Sequence, residues 1–369
     1  MSKTILDVNA HMHTPYSFSA FDSVRQALDM AAEENVRVVG INDFYSLDGY
    51  AEWSRECAAR HLYPLFNIEF ISLWQEAQRD GLRINDPNNP GRTYLSGKGL
   101  AFPSTLTGRE AQMLSDVREE SNRQVGRMCE RLNTLLTERK AGFSLSYDSI
   151  VKDLTRGSIR ERHLAKALRL AVEEKCGTDD ARMEMYETLC GKPLKSAPSD
   201  IASIENELRG NLLKAGGAAF VPEEPSAFLP VDVVKHIIEA AGGMPTYPFL
   251  ADDAKGMFTD FEGDLQRCAD TLKRMGIRSA EFITTRNTTA VLEQYATYLE
   301  DEGFTVTFGS EHNTPAMEPI RLRTRDNAEG LSEKLREINY RGACRVAAHQ
   351  SGSDSMELGE ELIQKRISE

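Results

Sequence analysis

Two histidines one residue apart stand near the start of the chain, His11 and His13 in the stretch DVNAHMHTPYSFS from Asp7 to Ser19. The run from Ile5 to His13 has the pattern of a first β-strand, and on a strand side chains i and i+2 project from the same face. Two imidazoles therefore converge on one point, an arrangement that suits a divalent cation. A pair of histidines is not yet a site, because such an ion also needs acidic ligands from other strand ends. Acids stand at those ends: VRVVGIND closes on Asp43, the run Leu62 to Phe70 carries Glu69, and FTVTFGS leads into Glu311 and His312. Imidazoles and carboxylates gathered at strand ends are the donor set of a metal site, so metal-assisted chemistry is the expectation.

The elements that must position these residues follow from periodicity. Ser23 is placed to cap a helix reaching about Glu34, with Val24, Ala27, Leu28 and Ala31 at helical spacing. The near-continuous apolar run Val36 to Asp43 has the pattern of a strand buried on both faces of a parallel sheet. A helix from Leu47 to Arg60 and the strand Leu62 to Phe70 complete βαβαβ, with His11, His13, Asp43 and Glu69 at C-terminal strand ends, where a parallel barrel collects its chemistry. Gln75 to Ser104, rich in Asp, Asn, Pro and Gly, is expected to leave the core as an excursion containing a hairpin strand TYLSGKGLAF. From Thr107 to about Leu213 the pattern is almost wholly helical, an inserted subdomain over the barrel mouth. Alternation then returns: the helix VDVVKHIIEAAGG, the strand MPTYPFLADD, a helix Asp260 to Met275, the strand IRSAEFITT, a helix through Val291 to Glu302, and FTVTFGS. A helix near Leu331 to Ile338, an apolar stretch ACRVAAHQ and a charged surface helix end the chain. The expected division is 1–106 for the first part of a barrel, 107–215 for the helical insertion and 216–369 for the rest.

Size and charge narrow the classes. A chain of 369 residues can bury a large core, and a net charge of −13 without a long Lys/Arg block argues against sequence-independent nucleic-acid binding. The six cysteines form no Cys-x-x-Cys pair, which fits reduced thiols in a cytoplasm. MSKTILDVNAHMH lacks a signal-like apolar core, and no apolar run is long enough to span a bilayer, so no membrane partner is expected. Neither a P-loop nor a Gly-x-Gly-x-x-Gly after a strand is present, so no dinucleotide cofactor is expected either.

Taken together, HMHTPYSFS, VVGIND, FNIEF, RERHLAKAL, GGMPTYP, GIRSAEFITTRN and TFGSEHN resemble the PHP (polymerase and histidinol phosphatase) superfamily. The resemblance implies a distorted (β/α)7 barrel with metal ions at the strand C-termini and metal-dependent hydrolysis of phosphoesters, nucleotides or nucleic acids. It places His11, His13, Glu69 and Glu311 as ligands of a first metal, with Glu311 in place of the more usual Asp. The rest of the pattern departs: Phe44 stands where the family has a histidine, Phe18 where it has an acid, Tyr247 before Pro248 where it has His-Pro, and Asn313 where it has a last imidazole. One divalent ion is therefore expected, zinc, manganese or iron, with Asp43 as a base or added ligand and His312 as a substitute imidazole. Arg160 and His163 in RERHLAKAL match a segment that faces the active site, and Arg160 or Arg162, with Arg286, suits a substrate phosphate. The expected substrate is a phosphorylated small molecule, a nucleotide or a nucleic-acid end. Two alternatives stay open: a non-hydrolytic barrel working beside an ATPase or nuclease partner, and a different barrel chemistry on a sugar or carboxylate, such as isomerisation or C–N hydrolysis of the amidohydrolase kind.

Overall fold

In the computed structural model residues 5–253 and 255–369 are described; residues 1–4, the beginning of the stretch without a signal-like core, lie outside them. Eight strands make one sheet: β1 (Asp7–Met12), β2 (Val36–Phe44), β3 (Tyr63–Leu73), β4 (Arg92–Lys98), β5 (Leu229–Pro230), β6 (Met244–Phe249), β7 (Ser279–Ile283) and β8 (Thr305–Gly309). The order is β1-β2-β3-β4-β6-β7-β8, with β5 paired to the end of β3. The sheet curls until the chain after β8 returns to β1, where Met12 bridges Glu311 and the His13 N–H donates to the Glu311 carbonyl at 2.7 Å. The result is a nearly closed, mixed α/β barrel of the kind the sequence implied.

Both faces of its strands are covered. Outward, Val39, Ile41, Ile68 and Phe70 share a core with the helix residues Val24, Leu28 and Trp53. Inward, the barrel is polar: the Asn67 amide and the Lys98 ammonium each donate to the Ala10 carbonyl at 3.0 Å, and His11 meets Glu281 from the other side. Gly309 permits this filling, since a Cβ there would come within 2.2 Å of the His11 Cβ.

The segment expected to leave the core does the opposite at its centre. Residues 92–98 form β4, an interior strand antiparallel to both β3 and β6. Lys98, at its end, is wholly buried. The C-terminal expectation also changes: ACRVAAHQ is the second half of a single helix, Glu333–Gln350. Ala343, Val346 and Ala347 of this helix pack on Val8, Ala10, Val38 and Leu65 at the N-terminal ends of the strands, which is why the stretch is apolar. Its Gly342 lies so close to β8 that a Cβ would meet the Val306 carbonyl at 1.8 Å.

The helices between β4 and β5 build a second core around Val125, Leu132, Leu164, Leu168, Tyr186 and Ile204. One helix, Gly108–Glu138, connects it to the barrel. Its 31 residues span about 46 Å at about 1.5 Å each. Leu114 and Val117 sit in the barrel core, and the apolar residues from Val125 onward sit in the second.

Candidate metal centre

His11 from β1, His13 from the residue just past its end and Glu69 from β3 are all buried in the barrel. The two Nε2 atoms are 3.3 Å apart; Glu69 Oε2 lies 3.1 Å from the His13 Nε2 and 3.7 Å from the His11 Nε2. Ligands at about 2.0–2.1 Å around a tetrahedral ion are separated by about 3.3 Å, so the three atoms fit one face of such a shell. The donor chemistry fits as well. Burial pushes the His13 imidazole down and the Glu69 carboxyl up to about 8, and Glu69 Oε2 makes no hydrogen bond. A sealed oxygen facing two imidazole nitrogens is an electrostatic arrangement that a cation completes.

The far side of each ring is fixed by a carboxylate. The His11 Nδ1–H donates to Glu281 Oε2 at 2.9 Å, which leaves its Nε2 lone pair free toward Glu69. For His13 the link has two steps: Nδ1–H to Ser17 Oγ at 3.2 Å, then Ser17 Oγ–H to Asp43 Oδ1 at 2.6 Å. Asp43 also accepts the Thr14 N–H at 2.7 Å and the Thr14 hydroxyl at 2.5 Å. Both Asp43 oxygens are thus taken up by Thr14 and Ser17, on the Nδ1 side of His13. The Asn42 amide nitrogen is 3.0 and 3.1 Å from the two nitrogens of His11. Equal distances place it over the ring face, because the in-plane directions of the two nitrogens diverge.

Glu311 is at the mouth, and its carboxylate is held by Arg286 at 2.6 Å. It feels both imidazoles, and Arg286 is the chief group holding it below the usual carboxylate range against the effect of burial. It lies outside the three-ligand group formed by His11, His13 and Glu69. Arg160 lies over the Phe44 ring at 4.8 Å, and that ring in turn stacks on His13 at 5.0 Å. Arg162 lies over Phe18 at 5.6 Å. Phe44 and Phe18 therefore each carry a guanidinium.

Two of the expected site residues, His312 and His163, are engaged by their own neighbours, as is Tyr247. His312 accepts or donates at Ser310 Oγ (2.7 Å) through Nδ1, donates to the Glu318 carbonyl (2.9 Å) through Nε2, and stacks on Phe21. Both nitrogens are occupied, so it is a structural pin of the loop after β8. His163 accepts the Arg160 N–H at 2.9 Å through Nδ1, closing the start of the helix Glu161–Lys175; burial pushes it down to about 3. That makes it a cap. Tyr247 donates to Glu262 at 2.8 Å and is likewise spent.

The centre opens into a cavity of about 690 Å³ between the barrel mouth and the helical segment. Arg92, Arg160, Arg162, Arg209, Lys214 and Arg286 line it. Arg92 pairs with Glu223, while Arg209 and Lys214 share Glu161. Arg162 donates to the Asn206 amide oxygen at 3.0 Å, and Arg160 approaches Glu161 no closer than 3.9 Å. Burial and the neighbouring Arg209 push the Arg162 guanidinium down to about 10. Lys98 and Glu281 escaped notice in the sequence. Glu281 lies within GIRSAEF, and Lys98 is the one charge in the short run LSGKGLAF, a faint signal for a buried cation.

No protein-family model matches the chain, and no curated protein is detectably similar to it in sequence. Its fold resembles that of a candidate metal-dependent phosphoesterase from Bifidobacterium adolescentis, with a TM-score of 0.57 at 17% identity over 91% of this chain and 96% of that one. It also resembles an amidohydrolase from Chromobacterium violaceum, solved with sulfate and no metal, with a TM-score of 0.56 at 16% identity over 90% and 95%. At such identity the likeness establishes the fold alone. Among the described residues no helix is long and apolar enough to cross a membrane.

Proposed function

We propose that the chain is a metal-dependent hydrolase of phosphoesters in which His11, His13 and Glu69 hold one divalent ion. The observation that carries this reading is the meeting of His11 Nε2, His13 Nε2 and Glu69 Oε2 at 3.1 to 3.7 Å in a buried pocket that opens on arginines. The names of the two similar folds agree with hydrolysis assisted by a metal. Two imidazoles and a carboxylate suit zinc, manganese or iron. When bound, the ion supplies a Lewis acid and lowers the pKa of a water.

The chain's own residues do the rest. Glu281 and the Ser17–Asp43 pair keep both imidazoles in the tautomer that faces the ion. Arg160 and Arg162, cations without a carboxylate at hydrogen-bond distance, bind the phosphoryl oxygens, and their planar forks orient the ester. Arg286, paired with Glu311 at the mouth, would add a further cation for the phosphoryl group. The helical segment contributes Arg160, Arg162, Arg209 and Lys214 to the far wall of the cavity.

A panel of phosphomonoesters, phosphodiesters and uncharged amides tests the reading with manganese- or zinc-loaded protein. Turnover of phosphoesters that disappears in His13→Ala supports it. Turnover of amides alone would replace it with amidohydrolase chemistry, and an ion-loaded protein inert to the whole panel would point to the non-hydrolytic alternative.

A further inference from the structure

Lys98 is fully buried, and its ammonium lies where four strands meet. It donates to the Ala10 carbonyl of β1 at 3.0 Å and to Asn42 Oδ1 of β2 at 3.3 Å, and it pairs with Glu281 Oε2 of β7 at 2.5 Å. Three acceptors match the three protons of an ammonium. A cation taken wholly out of water is costly to hold, and partners this well placed do more than offset a misplaced surface lysine. They define an oxygen cradle beneath the His11 ring. Glu281 Oε2 is shared between Lys98 and the His11 Nδ1–H, while Glu281 Oε1 has no partner.

Asp43, Glu69 and Glu281 are buried around the centre, with Lys98 paired to Glu281 and Arg286 to the partly exposed Glu311. A cation entering the cradle would have to displace the Lys98 ammonium first.

We propose that Lys98 is the resident second cation of this centre: it holds Glu281 Oε2 in place as the acceptor that fixes His11, and by filling the oxygen cradle it limits the barrel to one metal ion. The inference rests on the reading that His11, His13 and Glu69 hold an ion. Lys98 touches no substrate and is a positioning residue. Removing its charge loosens Glu281, so His11 loses its single tautomer; removing its bulk as well leaves three oxygens and a free carboxylate open to a hard cation.

Two measurements on the full chain separate the possibilities. The first uses metal-stripped protein labelled with ¹⁵N-histidine and reads the His11 tautomer by NMR. Wild type shows the Nδ1–H form, and Lys98→Met shows a mixture. The second titrates Mn²⁺ into stripped protein with elemental analysis. Wild type takes one ion per chain, Lys98→Met takes one with affinity about 10- to 100-fold weaker, consistent with the usual cost of losing a partner that orients a ligand, and Lys98→Ala takes two. If Lys98→Met folds poorly, Lys98→Met with Glu281→Gln removes both charges together, and it should lose the tautomer preference while still taking one ion. An unchanged His11 tautomer in these variants overturns the proposal, and so does a single tightly held ion in Lys98→Ala. Wild type that takes no ion while its His11 tautomer still depends on Lys98 overturns the metal reading and the limit on ion number, and it supports the positioning of His11.

Discussion

Ser17 is the smallest group on which the centre depends, and Ser17→Ala measures how much its geometry is worth. The hydroxyl is buried, accepts the His13 Nδ1–H at 3.2 Å and donates to Asp43 at 2.6 Å. Removing it takes one of three donors from a buried carboxylate, worth about 1.5–3 kcal/mol, and leaves a buried ring N–H without an acceptor, worth about 1–3 kcal/mol. Because the missing atom is small and Thr14 still donates twice to Asp43, a net loss of about 3 kcal/mol is expected. The same change frees the His13 ring to turn, which should weaken metal binding about 10- to 100-fold. Urea unfolding gives the first number, and calorimetric titration of Zn²⁺ into stripped protein gives the second. A double-mutant cycle with Asp43→Asn should return a coupling above about 1 kcal/mol, since the two side chains act through one hydrogen bond. A stability change under about 0.5 kcal/mol with unchanged affinity would refute the claim that Ser17 and Asp43 orient His13.

Other outcomes follow from the same structure. Phe44→His puts an imidazole against His13 in place of a ring 5.0 Å away, and with Lys98 still in its cradle elemental analysis should find one Mn²⁺ per chain, held more tightly than in the wild type. Arg162→Gln removes a cation from the cavity without touching the three ligands, so KM for a phosphoester should rise about tenfold, by about 1.4 kcal/mol of binding, while metal content stays the same. Glu262 is fully buried, accepts from Tyr247 and from the Leu250 and Ala251 N–H groups, and is pushed up to about 7 by burial. A carboxyl raised on folding contributes stability that is whole below its unfolded pKa of about 4.5 and is lost as pH climbs through 7. The loss should reach about 3 kcal/mol, and Glu262→Gln should flatten the denaturation profile between pH 5 and 8.

Much of the barrel was legible because parallel strands covered on both faces must be apolar nearly throughout, so an acid that ends such a run is conspicuous. Asp43 and Glu69 stood out for that reason, as did the i, i+2 histidines. β4 did not, because its neighbours in sequence are Asp, Asn, Pro and Gly; only pairing with β3 and β6 makes residues 92–98 a strand. Lys98 was lost with it, since lysine is ordinarily a solvent residue and its burial is decided by Glu281, 183 positions later in the numbering. His312 was harder to place for a different reason. Spacing put an imidazole near the expected ligand, but Glu311 and His312 both adopt left-handed backbone, φ 66° and 56°, and that turn delivers the His312 ring to Ser310 and Glu318. ACRVAAHQ was indistinct because a helix packed closely on the barrel floor loses its polar face.

The ion count per chain bears most directly on the whole account. Protein stripped with chelator, reloaded with excess Zn²⁺ or Mn²⁺ and freed of unbound metal should carry close to one ion by elemental analysis, and a His11→Ala, His13→Ala double variant that keeps the wild-type circular dichroism should carry close to none. A wild-type chain that stays empty, or a double variant that retains the ion, would contradict the claim that two imidazoles and Glu69 form a metal centre.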